Sequence, residues 1–326
     1  MVPQGSIHRQ PEESRMRILA LVAAMMLPAM AVAEPGDTGL QTSAPTREEA
    51  IISSGADAAF RMTVPVMVNG QGPFHFVIDT GADRTVISRE TADQLALPQA
   101  GTNRLHAMGG AGQVKMVKVD QLQMSNRTTK HLKLAALPRQ YLGADGLLGL
   151  DSLKGQRIVM DFKAGTMTLQ PAETSDASLP DGADLIVVTA RTRLGQLVLA
   201  DADVNGEKVW VIVDTGAQNS VGNSRLRRLL LSRNPKATVT PIEMIDVLGR
   251  RFPGDYTIVN RVRIGGVLMG NAAIAFADAH PFKLFGLDKK PSMLLGMEGL
   301  RSFERVSVDF STKKVTFLLP KATTKP

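Results

Sequence analysis

The chain has 326 residues, 44% hydrophobic and 21% charged, with a formal net charge of +7 distributed along its length. It contains no cysteine, which excludes disulfides, thiolate metal sites and a cysteine nucleophile. One tryptophan, two tyrosines and no run of five like charges make a nucleic-acid partner an unsupported expectation.

In chain order, the first signal is an apolar run from Ile18 to Ala33, preceded by Arg15 and Arg17 and interrupted by Pro28. It is shorter than the roughly 20 residues a membrane span needs. It ends in Ala31-Val32-Ala33, small residues at the positions a signal peptidase reads, so residues 1–33 read as an export signal. Residues 1–15 become an upstream extension if Met16 is the start. The uncleaved anchor is the rival reading. The expected location is periplasmic or secreted, and the mature chain is not expected to insert stably in a membrane. Residues 34–59 are polar and read as a flexible lead-in.

An internal repeat organises the remainder of the chain. TVPVMVNGQGPFHFVI runs up to Asp79, and LADADVNGEKVWVIV runs up to Asp214. Each reads as strand, Asn-Gly turn, strand, because Asn69-Gly70 and Asn205-Gly206 both tolerate positive φ. Each is followed by Asp-Thr-Gly-Ala and then by a short helical pattern, after Ser88 in one case and over residues 223–231 in the other. Further on, Leu147-Leu148-Gly149 answers Leu294-Leu295-Gly296. RIVMDFKAGTMTL (157–169) answers RVSVDFSTKKVTF (305–317) without a gap. Four elements recurring in one order indicate duplication, with a period far too long for a solenoid. The expected organisation is a first lobe over 60–171, a Pro- and Gly-containing linker over 172–183, a second lobe over 184–320 and a short tail over 321–326. Most segments read as short alternating strands, so the expected class is all-β with a few short helices.

These motifs resemble the retropepsin-like aspartic proteases, over most of residues 61–319. Asp79-Thr80-Gly81-Ala82-Asp83, after an apolar strand and before Leu147-Leu148-Gly149, carries the resemblance once. Asp214-Thr215-Gly216-Ala217 with Leu294-Leu295-Gly296 carries it again. Retropepsins assemble from two identical chains; here both halves lie in one, which is similar to the exported bacterial members of the group. The resemblance implies two retropepsin- or pepsin-like β-barrel lobes in a bilobal acid-protease fold, a monomer built as a pseudo-dimer, and Asp79 and Asp214 as the catalytic pair. It implies that Thr80 and Thr215 cross-bond the two loops, that Gly81 and Gly216 let substrate backbone come close, and that Asp83 binds substrate backbone. The rival for Asp83 is an internal salt bridge, for instance with an arginine. Gln218 stands at the matching place, so the two sides of the site should differ.

The chemistry explains the need for two aspartates. Water must lose a proton to a base while the peptide oxygen gains one from an acid. Two carboxyls about 3 Å apart cannot both ionise cheaply, so they share one proton and supply both roles. No metal or organic cofactor is required, and the histidines show no ligand spacing, each reading as a surface or strand residue. Hairpin flaps are expected at residues 106–119, with Gly109 and Gly110 in a flexible, substrate-contacting tip, and at 247–259. A phosphate-cradling glycine loop at 109–112 would need a following helix, and a β-like run follows instead. Two functions remain in view: an endopeptidase acting on peptides or unfolded protein segments, and a non-catalytic peptide-binding module on the same fold.

Overall fold

The computed structural model describes residues 61–124, 127–172, 185–193, 196–199 and 201–320, together with the strand pieces Ile18–Leu19, Ala50–Ser53 and Gly55–Ala56. The rest of the leader, lead-in, linker and tail, and the Asn126 of an Asn-Arg-Thr sequon, lie outside the described residues.

Both Asn-Gly turns form where the sequence places them. Asn69 and Gly70 take φ of 49° and 75°, and Asn205 and Gly206 take 50° and 87°. The first joins Met62–Val68 to Gln71–Ile78 in an antiparallel ladder whose register shifts between Val66 and Val68. In the second half the corresponding strand is divided. Gln196–Leu199 pairs with Trp210–Val213, while Ala202–Val204 pairs with Glu207–Lys208. The short helices start where polar caps are available. Ser88 Oγ accepts from Thr91 N ahead of Arg89–Gln94, and Asn223 Oδ1 accepts from Leu226 N ahead of Ser224–Arg233.

Each half then threads its Leu-Leu-Gly strand between the two segments that flank its aspartate. Gly146–Leu148 runs parallel to Gln71–Ile78 and antiparallel to Val86–Ser88. Ser292–Leu295 runs parallel to Trp210–Val213 and antiparallel to Ser220–Gly222. The first half thus lies in a nine-stranded sheet, which Ile18–Leu19 and Gly55–Ala56 also enter, and the second half in a ten-stranded sheet, in a bilobal all-β fold.

A third sheet joins them. The repeated hairpins, Gln156–Asp161 with Thr166–Pro171 and Arg305–Asp309 with Lys314–Leu318, pair edge to edge as the middle of one six-stranded sheet. Their register places Arg157 opposite Asp309 and Asp161 opposite Arg305, about a centre at Val159 and Ser307. Two equivalent ion pairs result, Arg157 Nη2–Asp309 Oδ2 at 3.0 Å and Arg305 Nη2–Asp161 Oδ2 at 2.6 Å. Beneath them Ile158, Met160, Val306, Val308, Val315 and Phe317 are buried in a core continuous with both lobes. The lead-in also contributes: Ala50–Ser53, read from sequence as part of a flexible segment, pairs with Thr166–Pro171 at the edge of this sheet. Two isoleucines in four residues favour the extended chain. Among the described residues no helix is long and apolar enough to cross a membrane.

Candidate active site

Asp79 and Asp214 each stand at the end of an apolar strand, and each N–H is tied down by the Leu-Leu-Gly strand beside it. Asp79 N donates to Leu148 O and Asp214 N to Leu295 O, both at 3.0 Å. The chain then doubles back, so its own N–H groups reach the carboxyl. Gly81 N donates to Asp79 Oδ1 at 2.8 Å, and Gly216 N and Ala217 N donate to Asp214 Oδ1 at 3.0 and 3.2 Å.

The threonines lock one turn to the other. Thr80 N donates to Thr215 Oγ1 and Thr215 N to Thr80 Oγ1, each at 3.1 Å. Each hydroxyl passes its own proton across the junction, Thr80 to Val213 O at 2.8 Å and Thr215 to Ile78 O at 2.7 Å. All four bonds join one half to the other, and every group in them is buried.

The glycines of the two turns make room for the opposing carboxyls. A Cβ on Gly81 would lie 2.7 Å from Asp214 Oδ1, and one on Gly216 would lie 2.1 Å from Asp79 Cγ. Real Cβ contacts do not come that close. The opposing carboxyl occupies the space that a side chain would need.

Both aspartates are fully buried. Each keeps one oxygen, Oδ2, that receives no donor from the described residues, and the two side chains lie close enough to hydrogen-bond to each other once one carries a proton. Burial raises the affinity of both for protons, and for Asp79 the neighbouring Asp214 charge raises it further. Backbone N–H groups and the Arg61 guanidinium oppose this. The pair therefore holds a proton well above the pH at which an ordinary aspartate would lose it.

The strands Gln99–Ala107 and Gly110–Met124 form a hairpin with Met108 and Gly109 at its tip, and Thr240–Ile245 with Arg251–Ile264 forms its counterpart, with 246–250 at the tip. Each tip packs an apolar side chain into the opposite half. Met108 is buried among Val198, Ile212, Ala275 and Phe282, and Val247 among Val86, Leu137 and Leu142.

Comparison with protein-family models gives two tandem matches. The model described as gag-polyprotein putative aspartyl protease covers residues 64–155, and the model described as Aspartyl protease covers residues 200–298. This chain belongs to the retropepsin-like aspartic protease family, with two halves in tandem. A comparison with curated proteins finds no match.

Several features of this retropepsin-like chain differ from the sequence expectation. Gly109 and Gly110, expected in a flexible tip, are instead held against the second half, as is the neighbouring Gly112. Gly109 N donates to Asp246 Oδ2 at 3.0 Å, and Arg250 Nη2 donates to Ala111 O. A Cβ on Gly110 or Gly112 would lie 2.8 or 2.9 Å from the Arg250 guanidinium, so these glycines make room for that side chain. His106 and His280, read as separate surface or strand residues, meet across the two halves. Their rings stack 5.0 Å apart, with His106 Nδ1 and His280 Nε2 at 2.8 Å, and His280 N donates to Met108 O at 2.8 Å. Among the described residues no cluster of three or more metal-ligating side chains occurs.

Asp83 is half-buried, and its Oδ1 accepts from Gln196 Nε2 of the second half at 3.3 Å, so its described side-chain partner is an amide. Burial pushes its carboxyl up to about 6, against the Gln196 bond and the Arg84 charge. Sequence reasoning passed over two residues that grip the aspartate turns. Arg61 Nη1 donates to Gly216 O at 3.1 Å, and Gln196 Nε2 donates to Gly81 O at 3.0 Å. A signal for them existed: each stands 18 residues before its aspartate, 61 before 79 and 196 before 214.

Proposed function

We propose that the protein is an aspartic endopeptidase, in which Asp79 and Asp214 share one proton and activate a water against the peptide carbonyl. The charged carboxyl takes a proton from water, and the protonated one gives its proton to the substrate oxygen; the two exchange roles as the tetrahedral intermediate collapses. The observation that carries this reading is the buried carboxyl pair, its remaining oxygens free of donors, clamped by four reciprocal threonine bonds across the two halves. A pair built for structure alone would have its acceptors satisfied.

The substrate class is an extended peptide or an unfolded protein segment lying beneath the hairpins. Asp83, Gly109 and Gly110 border the path it would take. The working form is a monomer, because one chain supplies both aspartates. The leader sequence supports export, with the mature protein acting in the periplasm or outside the cell.

The test is cleavage of a denatured protein by the mature chain from acid to neutral pH, beside Asp79→Asn and Asp214→Asn. A bell-shaped profile abolished in both variants is expected. Capture of peptide without cleavage by the parent chain would replace this reading with the peptide-binding module.

A further inference from the structure

We propose that Arg61 is a positioning residue that supplies the countercharge for the singly ionised aspartate pair, and that its mirror, Gln196, supplies the same grip without the charge. The proposal rests on the protease reading above.

The geometry is reciprocal. From the start of the first half Arg61 reaches across to the Gly216 carbonyl, and from the start of the second Gln196 reaches across to the Gly81 carbonyl. Both side chains are fully buried. Each therefore fixes the turn that carries the other half's aspartate, and an amide is sufficient for that task, as Gln196 demonstrates. Holding the turn does not by itself call for a guanidinium.

The charge has a separate consequence. Arg61 also donates to Leu142 O, so carbonyl dipoles solvate it, and it favours ionisation of both Asp79 and Asp214. A buried cation beside two buried carboxyls is best balanced when the pair carries one negative charge. The fully protonated pair leaves the cation without a countercharge, and the doubly ionised pair adds mutual repulsion. Arg61 thus widens the acid side of the range in which one proton is shared. At the Gln196 end of the junction stand Asp83, which accepts from Gln196 Nε2, and the Arg84–Asp151 ion pair, both of whose charges act on Asp83. They form a mixed cluster in which Asp83 itself is neutral below about 6.

Arg61→Gln makes the two halves alike and isolates the charge. Both limbs of its pH–rate profile should move toward alkaline pH by about one unit. Arg61→Lys keeps a cation and should leave the limbs in place. Carboxyl carbon NMR of aspartate-labelled protein reads the same titration without relying on turnover. Because the chain has no cysteine, Arg61→Cys gives a second route. Alkylation in denaturant with bromoethylamine or iodoacetamide, then refolding, yields a cation or a neutral amide on the same stem. A displaced titration in the neutral forms only supports the proposal. Coincident titrations in Arg61→Gln and the parent overturn it, as does failure of both neutral forms to fold, which would make the residue purely architectural. If the parent cleaves nothing while the titration still shifts, the protease reading fails and the countercharge stands.

Discussion

Thr80→Val tests the lock between the two halves. Valine keeps the branched shape of threonine, so the cavity is unchanged and the loss is confined to hydrogen bonding. Thr80 Oγ1 accepts from Thr215 N and donates to Val213 O, and Thr80 is buried. The variant leaves one buried N–H and one buried carbonyl without partners, at about 1–3 kcal/mol each. The expected loss is about 4 kcal/mol, a large share of the 5–15 kcal/mol that typically holds a protein folded. Thr80→Ser keeps the hydroxyl and loses one methyl, and should cost about 1 kcal/mol. The single tryptophan, Trp210, opens the strand that leads into Asp214, so its fluorescence during urea unfolding reports on this junction. Thr215→Val should cost as much as Thr80→Val, because it orphans Thr80 N and the Ile78 carbonyl in the same way. Equal stability of the valine and serine variants, or a valine loss below about 1 kcal/mol, would refute the lock as an energetic element.

Gly216→Ala should displace the Asp79 carboxyl, because the added carbon would lie 2.1 Å from Asp79 Cγ. We expect loss of cleavage together with about 1–3 kcal/mol of stability, read by activity and thermal unfolding. Asp309→Asn breaks one of the two equivalent ion pairs in the joining sheet and should cost about 2 kcal/mol at neutral pH, between exposed and fully buried pairs. Burial alone would raise the Asp309 carboxyl, but the Thr312 N–H and the Arg157 guanidinium hold it below the usual range. Its contribution is therefore present above the ordinary carboxylate pKa and is lost as pH falls through the folded value, so the variant should have a flatter acid side in its stability profile. At the hairpin tip, His280 is held below its usual range by burial and by Lys283, Arg104 and Arg250. The neutral latch to His106 should hold above about pH 6.5 and loosen as pH falls through the lowered value. Protection of the amides over residues 106–112, taken relative to the intrinsic exchange rate at each pH, should fall in acid, and His280→Ala should show that lower protection already at neutral pH.

The sequence by itself determined whatever depends on neighbours along the chain. Paired Asn-Gly turns between alternating apolar runs specify the hairpins, because only residues tolerant of positive φ close such turns. Ser88 and Asn223 start their helices because each places an acceptor within reach of the N–H three residues on. Duplication was legible because four motifs recur in order, and the paired Asp-Thr-Gly turns announced the carboxyl pair. Tertiary structure alone decided what meets across the approximate twofold relation between the halves. Arg61 against Gly216, Gln196 against Gly81, His106 against His280 and Arg157 against Asp309 are separated by between 115 and 174 positions. No periodicity links them; they are neighbours because the two halves fold face to face. The same closure replaced the expected flexible tip with a pinned one. It also gave Gly81 and Gly216 their purpose, since the atom that excludes a side chain at each position belongs to the other half of the molecule.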